Sequence, residues 1–310
     1  MSRPVARPIA RETIAGKPRP QATFSAVTTR EETPSASLPS ARISARQLQA
    51  ISASLTPLDT DVLGFLEEVR LATCKQLCRR FWIDGTGSDQ ARARAGRRAL
   101  KRLSDWRVLD PLPGRARGGL RGGSDTLVYA VGRSGARLLA QRGQMPRRLG
   151  APGQRHIAHT LTVCELVVRL HEADRTGDLE LLEIQSEPAC WRTFRGGMMG
   201  ATRITLKPDL FLRIGVGAEG AAEALEDRWA VEVDLASEHR GTLIAKAKRY
   251  HAHYRASTGV HPRVLWTVPD RRRAEQLEEL IGQLPAEARR LFTIRLFDDT
   301  VAYLAAEARS

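Results

Sequence analysis

The run Trp229-Ala230-Val231-Glu232-Val233-Asp234-Leu235 is apolar except for two carboxylates placed two residues apart. Side chains on a strand alternate between its faces, so a strand here puts Glu232 and Asp234 on one side. Burying two anions together is expensive unless a cation or a basic side chain neutralises them. Any fold for this chain must therefore bring positive charge to that strand. A second apolar run, Lys207-Pro208-Asp209-Leu210-Phe211-Leu212, carries Asp209 directly after a proline, at the start of a strand.

Hydrophobic patterning places these runs within a longer series of elements. A helix is expected over 156–174, with Leu161, Cys164, Val168 and Leu170 among its apolar positions. Strands follow at 179–184, 205–214 and 229–235, then a helix at 239–257 and a strand at 263–268. A helix at 271–284 and a strand at 292–297 close the series. The core order, α-β-β-β-α-β, predicts a mixed α/β (α+β) domain that is not a regular doubly wound sheet. On neighbouring strands, Asp209 and Glu232 would supply oxygen ligands suited to Mg²⁺. Such a metal polarises a scissile phosphate and activates water, and Lys246 and Lys248 on the next helix would stabilise the developing charge. The plainer alternative is an exposed edge-strand face, with these acids salt-bridged to Lys246 or Arg203.

Charge is segregated along the chain. Residues 91–149 hold 15 basic against 3 acidic residues, a balance of +12 within a net charge of +14. Residues 1–46 add +5 and the remainder is −3. A cationic region this concentrated is the footprint of a surface that tracks phosphates. Its elements have a definite order. Thr56-Pro57-Leu58-Asp59 opens a helix with an N-cap and a first-turn proline, followed by Leu58, Val62, Phe65 and Val69 on one face. Thr73-Cys74-Lys75-Gln76 fits a capping box for a second helix, with Leu77 and Phe81 as apolar contacts. A third helix spans 88–106, with Ala95, Ala99 and Leu103 expected inward and Arg94, Arg97, Arg98, Lys101 and Arg102 on the other faces.

Two short strands, at 108–112 and 126–131, flank the loop 114–123 that carries Arg115, Arg117 and Arg121. Three helices and a hairpin with a basic tip follow the winged helix-turn-helix order, in which the third helix enters the major groove and the wing lies along a phosphate backbone or minor groove. Only Asp105 interrupts the positive bias between Asp89 and Asp110, whereas a solvated surface helix interleaves acids with bases. Double-stranded DNA is therefore the expected partner, and no RNA-recognition motif competes with it.

Residues 1–54 read as a disordered basic tail, 55–150 as the winged helix and 151–310 as a restriction-endonuclease-like α/β domain. The tail is rich in Pro, Ser, Ala, Thr and Arg, and has too little apolar surface to offset the entropy of ordering. The four cysteines lack zinc spacing and imply a reducing, cytoplasmic setting. No apolar run approaches the roughly 20 residues that span a bilayer, and the basic N-terminus lacks the apolar core of an export signal. The histidines at 156, 159, 171, 251 and 253 read as helix-surface residues, and 195–199 as a mobile loop.

The series Pro208-Asp209 … Glu232-Val233-Asp234, set in the α-β-β-β-α-β order, resembles the PD-(D/E)XK nuclease-like superfamily. With the winged helix and Lys246-Ala247-Lys248-Arg249-Tyr250, the chain resembles the replication-relaxation family of actinobacterial plasmids and mobile elements over residues 55–270. The resemblance implies plasmid or mobile-element replication or conjugative DNA processing, with replication or conjugation proteins as partners. It assigns Asp209 and Glu232 as ligands of Mg²⁺ or Mn²⁺ and Glu165 as an accessory acid. Asp234 stands where the superfamily has lysine, so that role would move to Lys246, which shares a helix face with Tyr250. Asp234 equally fits a degenerate site that binds DNA or a partner without cleaving. A metal-dependent nuclease or nickase and a winged-helix transcriptional regulator both stay open.

Overall fold

The computed structural model describes residues 43–83, 87–112, 127–143, 154–196, 202–216, 225–257 and 261–309. The first structured element lies inside the stretch read as tail. Helix α1 (Ala45–Ser54) starts at a capping box in which Ser44 and Gln47 satisfy each other's backbone N–H, and it buries Leu48. Ile51 and Leu55 pack beside Leu48 on the main core. The spacing of these three residues is helical, and that local pattern outweighs the polar composition around it.

Helix α2 (Pro57–Val69) begins as expected, with Thr56 as N-cap in a capping box with Asp59. Strand β1 (Ala72–Thr73) leads into α3 (Cys74–Phe81), whose N-terminus is the Thr73–Gln76 capping box. Helix α4 (Asp89–Asp105) buries Gly96, Leu100 and Leu103. Leu103 is inward as expected, whereas Gly96 and Leu100 take the inner positions expected of Ala95 and Ala99. Gly96 permits the close approach of α3: a Cβ there would lie 2.7 Å from Cys78 Sγ and 3.0 Å from the Trp82 ring. Strands β2 (Leu109–Pro111) and β3 (Val128–Val131) join β1 in an antiparallel sheet of order β1-β3-β2, and α5 (Arg133–Gln141) follows. The loop bearing Arg115, Arg117 and Arg121 lies outside the described residues.

Helix α6 (Gln154–Thr176) joins the two halves of the chain. It precedes β4 (Leu181–Ser186), a hairpin of β5 (Arg192–Gly196) and β6 (Thr202–Leu206), β7 (Leu210–Val216) and β8 (Leu225–Val233). Then come α7 (Arg240–Ala256), β9 (Arg263–Val268), α8 (Arg271–Gly282), α9 (Ala286–Arg289), β10 (Phe292–Leu296) and α10 (Thr300–Ala308). The main sheet has order β10-β9-β8-β7-β4. Strands β4, β7 and β8 pair antiparallel, whereas β8, β9 and β10 pair parallel. Trp229, Val231, Val233 and Leu265 face the core shared with α6 and α10. On the opposite face, Trp266 and Val268 pack with α7 and α8.

Two expectations change here. The single strand read over 205–214 breaks at Lys207-Pro208-Asp209, because proline offers no N–H to a ladder; β6 pairs with β5 and β7 joins the main sheet. Arg195 and Gly196, read as loop, belong to β5, while Met198 and Met199 lie outside the described residues. The parts of the chain on either side of residue 150 share a core. Residues 43–310 form one compact unit, and one core cluster holds Leu63, Leu77 and Leu103 together with Leu166, Leu210 and Val231. Polar contacts reinforce this joint. Gln76 Nε2 donates to the Leu161 carbonyl at 2.9 Å, and Arg79 reaches Glu165 at 2.7 Å and Glu172 at 2.5 Å.

Asp59 ties α2 to α4: its buried carboxylate accepts from the Thr56 N–H at 2.9 Å and from Arg102 at 2.7 Å. Asp59→Ala removes a cap partner and leaves Thr56 N–H and Arg102 without it, an expected loss of about 2–3 kcal/mol. Asp59→Asn keeps the capping oxygen and should lose about half as much. Urea unfolding of the two variants checks this order.

Candidate functional site

The cations of α4 sort into two groups. Arg92 pairs with Asp89, Lys101 with Asp105 at 2.8 Å, and Arg102 with Asp59 at 2.7 Å. The Arg102 guanidinium also lies 5.3 Å from the centroid of the Trp106 ring. Arg94, Arg97 and Arg98 are exposed. Arg94 donates to the Gln90 carbonyl at 3.3 Å, and none of the three has a carboxylate partner among the described residues. Three unpaired guanidinium groups within five residues cover one side of the helix. Of the five helix residues singled out from sequence, Arg94, Arg97 and Arg98 form an open cationic surface. Lys101 is exposed but paired along its own helix, and Arg102 is tied across to α2.

The acids of the sheet are buried and individually neutralised. Glu232 is 1% exposed. Its Oε2 accepts from Lys246 Nζ at 2.9 Å and its Oε1 from Tyr250 OH at 2.6 Å. The spacing of Lys246 and Tyr250 on α7 therefore has a definite purpose: successive turns grip the two oxygens of one carboxylate. Burial pushes Glu232 up to about 7, against the pull of Lys246 and with a further push from Asp209. Burial also disfavours the Lys246 ammonium, but Glu232 outweighs this and holds Lys246 above its ordinary value. Tyr250 is driven well above a usual tyrosine by burial and by Glu232 beside it, so it remains a donor.

Asp234 is the next acid on the same side. Its Oδ2 meets Arg273 Nε at 2.6 Å and its Oδ1 accepts the Ala236 N–H at 2.8 Å. Asp209 Oδ2 accepts the Val233 N–H at 2.7 Å and lies 3.3 Å from His159 Nε2. Burial opposes the charged form of His159, yet Asp209 and the Val233 carbonyl outweigh it and raise the imidazole above its ordinary value. Glu165 is committed elsewhere. It accepts from Arg79, Arg169 and Gln76 at the joint with α3. Burial pushes Glu165 up, but these donors outweigh it and hold the carboxyl below the usual range.

Asp209, Glu232 and Lys246 are thus near neighbours, whereas Glu165 belongs to the joint between the two halves. Lys248 is exposed on α7. Arg273, rather than Arg203, neutralises Asp234. His159, read as a helix-surface residue, is half-buried and contacts Asp209; its signal was its place one turn before buried Val163 on α6. Among the described residues, no group of three or more His, Cys, Asp or Glu is placed to hold a metal. Magnesium needs carboxylate oxygens together with open positions for water. With both Glu232 oxygens and Asp209 Oδ2 bonded internally, the donor set as arranged does not fit a divalent ion.

Two measurements test this account. Lys246→Met strands a buried carboxylate and should cost about 3 kcal/mol or more, whereas Lys246→Met with Glu232→Gln should recover most of that loss; denaturant unfolding separates them. For His159, the raised folded value makes its contribution fully present below an ordinary histidine value of about 6.5. That contribution is lost as pH rises through the higher folded value. The Tm difference between wild type and His159→Gln should therefore shrink from about pH 6.5 upward, in melts over a pH series.

The pattern that describes the replication-relaxation family matches residues 63–264, well over half of the chain. No curated protein and no solved structure gives a significant match. Among the described residues, no helix is long and apolar enough to cross a membrane. The matched region runs from α2 into β9, and so contains both the open cationic side of α4 and the buried acids of the sheet. The chain belongs to the replication-relaxation family, with a role in replication-related DNA processing.

Proposed function

We propose that this protein binds double-stranded DNA in the cytoplasm during plasmid or mobile-element replication or conjugative transfer. The contact is made through α4 as the recognition helix of a winged helix. One observation carries the reading: among the described residues Arg94, Arg97 and Arg98 have no carboxylate partner, on a helix whose other three cations are all paired. The element order α2-β1-α3-α4-β2-β3 supports it, as does the three-stranded antiparallel sheet that closes this part of the chain. The sheet half, related by motif to PD-(D/E)XK nucleases, serves as a scaffold and a docking body for replication or conjugation proteins. Its acids are satisfied by Lys246, Tyr250, Arg273 and His159 instead of a metal.

Anisotropy with a labelled duplex across a KCl series tests the contact. Log affinity should fall linearly with log salt, at about 0.9 per phosphate neutralised. Arg94→Ala, Arg97→Ala and Arg98→Ala combined should make that slope shallower by up to roughly 3 units. Arg102→Ala should instead lower stability, because it frees Asp59. An unchanged slope in the triple variant rejects α4 as the contact. Calorimetric titration with Mg²⁺ and with Mn²⁺ should give no heat and no shift in Tm. A saturable signal lost in Asp209→Asn and Glu232→Gln would restore the nuclease reading.

A further inference from the structure

The β5–β6 hairpin stands outside the main sheet and rests one face on α7. Phe194 meets His253 edge-on with ring centroids 4.9 Å apart, and Leu206 packs with Tyr250. Alternation then fixes the other face, which carries Thr193 and Arg195 on one strand and Arg203 and Thr205 on the other. Lys207 continues this face just past β6. The register sets Thr193 opposite Thr205 and Arg195 opposite Arg203. The threonine hydroxyls are 3.1 Å apart, and Lys207 Nζ lies 4.2 Å from the centroid of the Trp191 ring. Arg195, Arg203 and Lys207 are exposed, and among the described residues none is paired with a carboxylate.

Like charges directly opposite each other weaken an antiparallel pair. On the main sheet, by contrast, the half-buried Arg213 on β7 is bracketed by Glu183 at 3.1 Å and Glu226 at 2.5 Å. The hairpin lacks such a bracket, although a single Thr→Glu change beside either arginine would supply one. Its outward face offers three cations and two hydroxyls with no acid between them. That is a surface complementary to a polyanion with a regular backbone, and a two-stranded ribbon has the width of the major groove.

We infer that the outward face of β5–β6 is a second duplex-DNA contact, with Arg195 and Arg203 neutralising backbone phosphates beside Lys207. The inference rests on the DNA-binding reading and extends the contact from the helical half onto the sheet half. It makes the protein a two-point binder, with the DNA held against both halves of one compact unit.

The test uses the full chain and a labelled duplex of about 30 base pairs, a length that lets separated patches engage together. Arg195→Ser with Arg203→Ser should weaken binding at fixed salt about tenfold or more, and make the log-log slope shallower by about 2 units. The single variant Arg203→Glu supplies the missing acid, so it should keep or raise Tm while lowering DNA affinity. The Arg94, Arg97 and Arg98 triple variant is measured alongside. If the triple variant weakens binding but the hairpin variants leave affinity and slope unchanged, the hairpin contact is overturned and the α4 contact stands. If neither set has an effect, both readings fall. Loss confined to single-stranded DNA or RNA, with duplex binding intact, also overturns the inference.

Discussion

The burial of α6 on nearly every side is the constraint on which the remaining structure depends. Val163, Cys164, Leu166, Val167, Val168 and Leu170 are all buried, and six such residues within eight leave only the narrow side of Glu165 and Arg169 in reach of water. The helical half covers one part of the surface, and the sheet with α10 covers the rest. Neither half alone would keep this helix out of water, so the two fold as one body. The polar contacts at the joint are few, but each is specific. Gln76, which caps α3, also reaches the Leu161 carbonyl, so the start of one helix is registered against the middle of another.

Within that body, charge pairing separates structural from available residues. The buried acids on the sheet each meet a partner delivered by a different element: α7 for Glu232, α8 for Asp234 and α6 for Asp209. Breaking such a pair is costly because it leaves an uncompensated charge in a low-dielectric interior. Exposed pairs contribute little to stability, but they mark which cations are occupied. By that criterion the open cations of α4 and of the β5–β6 hairpin differ from Arg79, Arg213 and Arg263, each of which has two carboxylates beside it.

Local signals in the sequence carried much of this. The capping boxes at Thr56 and Thr73 are formed as read, because the interacting groups are three residues apart and need no tertiary help. The strand at 263–268 and the partnership of Lys246 with Tyr250 were equally legible, the latter from helical spacing alone. What failed was long-range or weakly patterned. The inner positions of α4 near Ala95 and Ala99 slipped by one residue because Ala95, Gly96 and Ala99 are too small for hydrophobicity to distinguish an inner from an outer position. Arg102 finds Asp59 across 43 positions, and Arg273 finds Asp234 across 39; no spacing rule reports such pairs. The hairpin was hidden by arginine and glycine, which read as loop, and α1 by the composition of the tail before it. The expectation of a metal came from the cost of burying acids, and spacing alone did not reveal that Lys246, Arg273 and His159 stand beside them.

The break at Pro208 divides ten residues between two separate sheets. The hydrogen-bond ladder of β5–β6 ends where that of β7 begins, so extra residues at the far end of the hairpin need not propagate a register shift into β7 or β8. Insertions and deletions between relatives should therefore gather there, while the lengths of β7 and β8 stay fixed. The hairpin would then be the part of the fold through which related proteins adjust their reach without rebuilding the core.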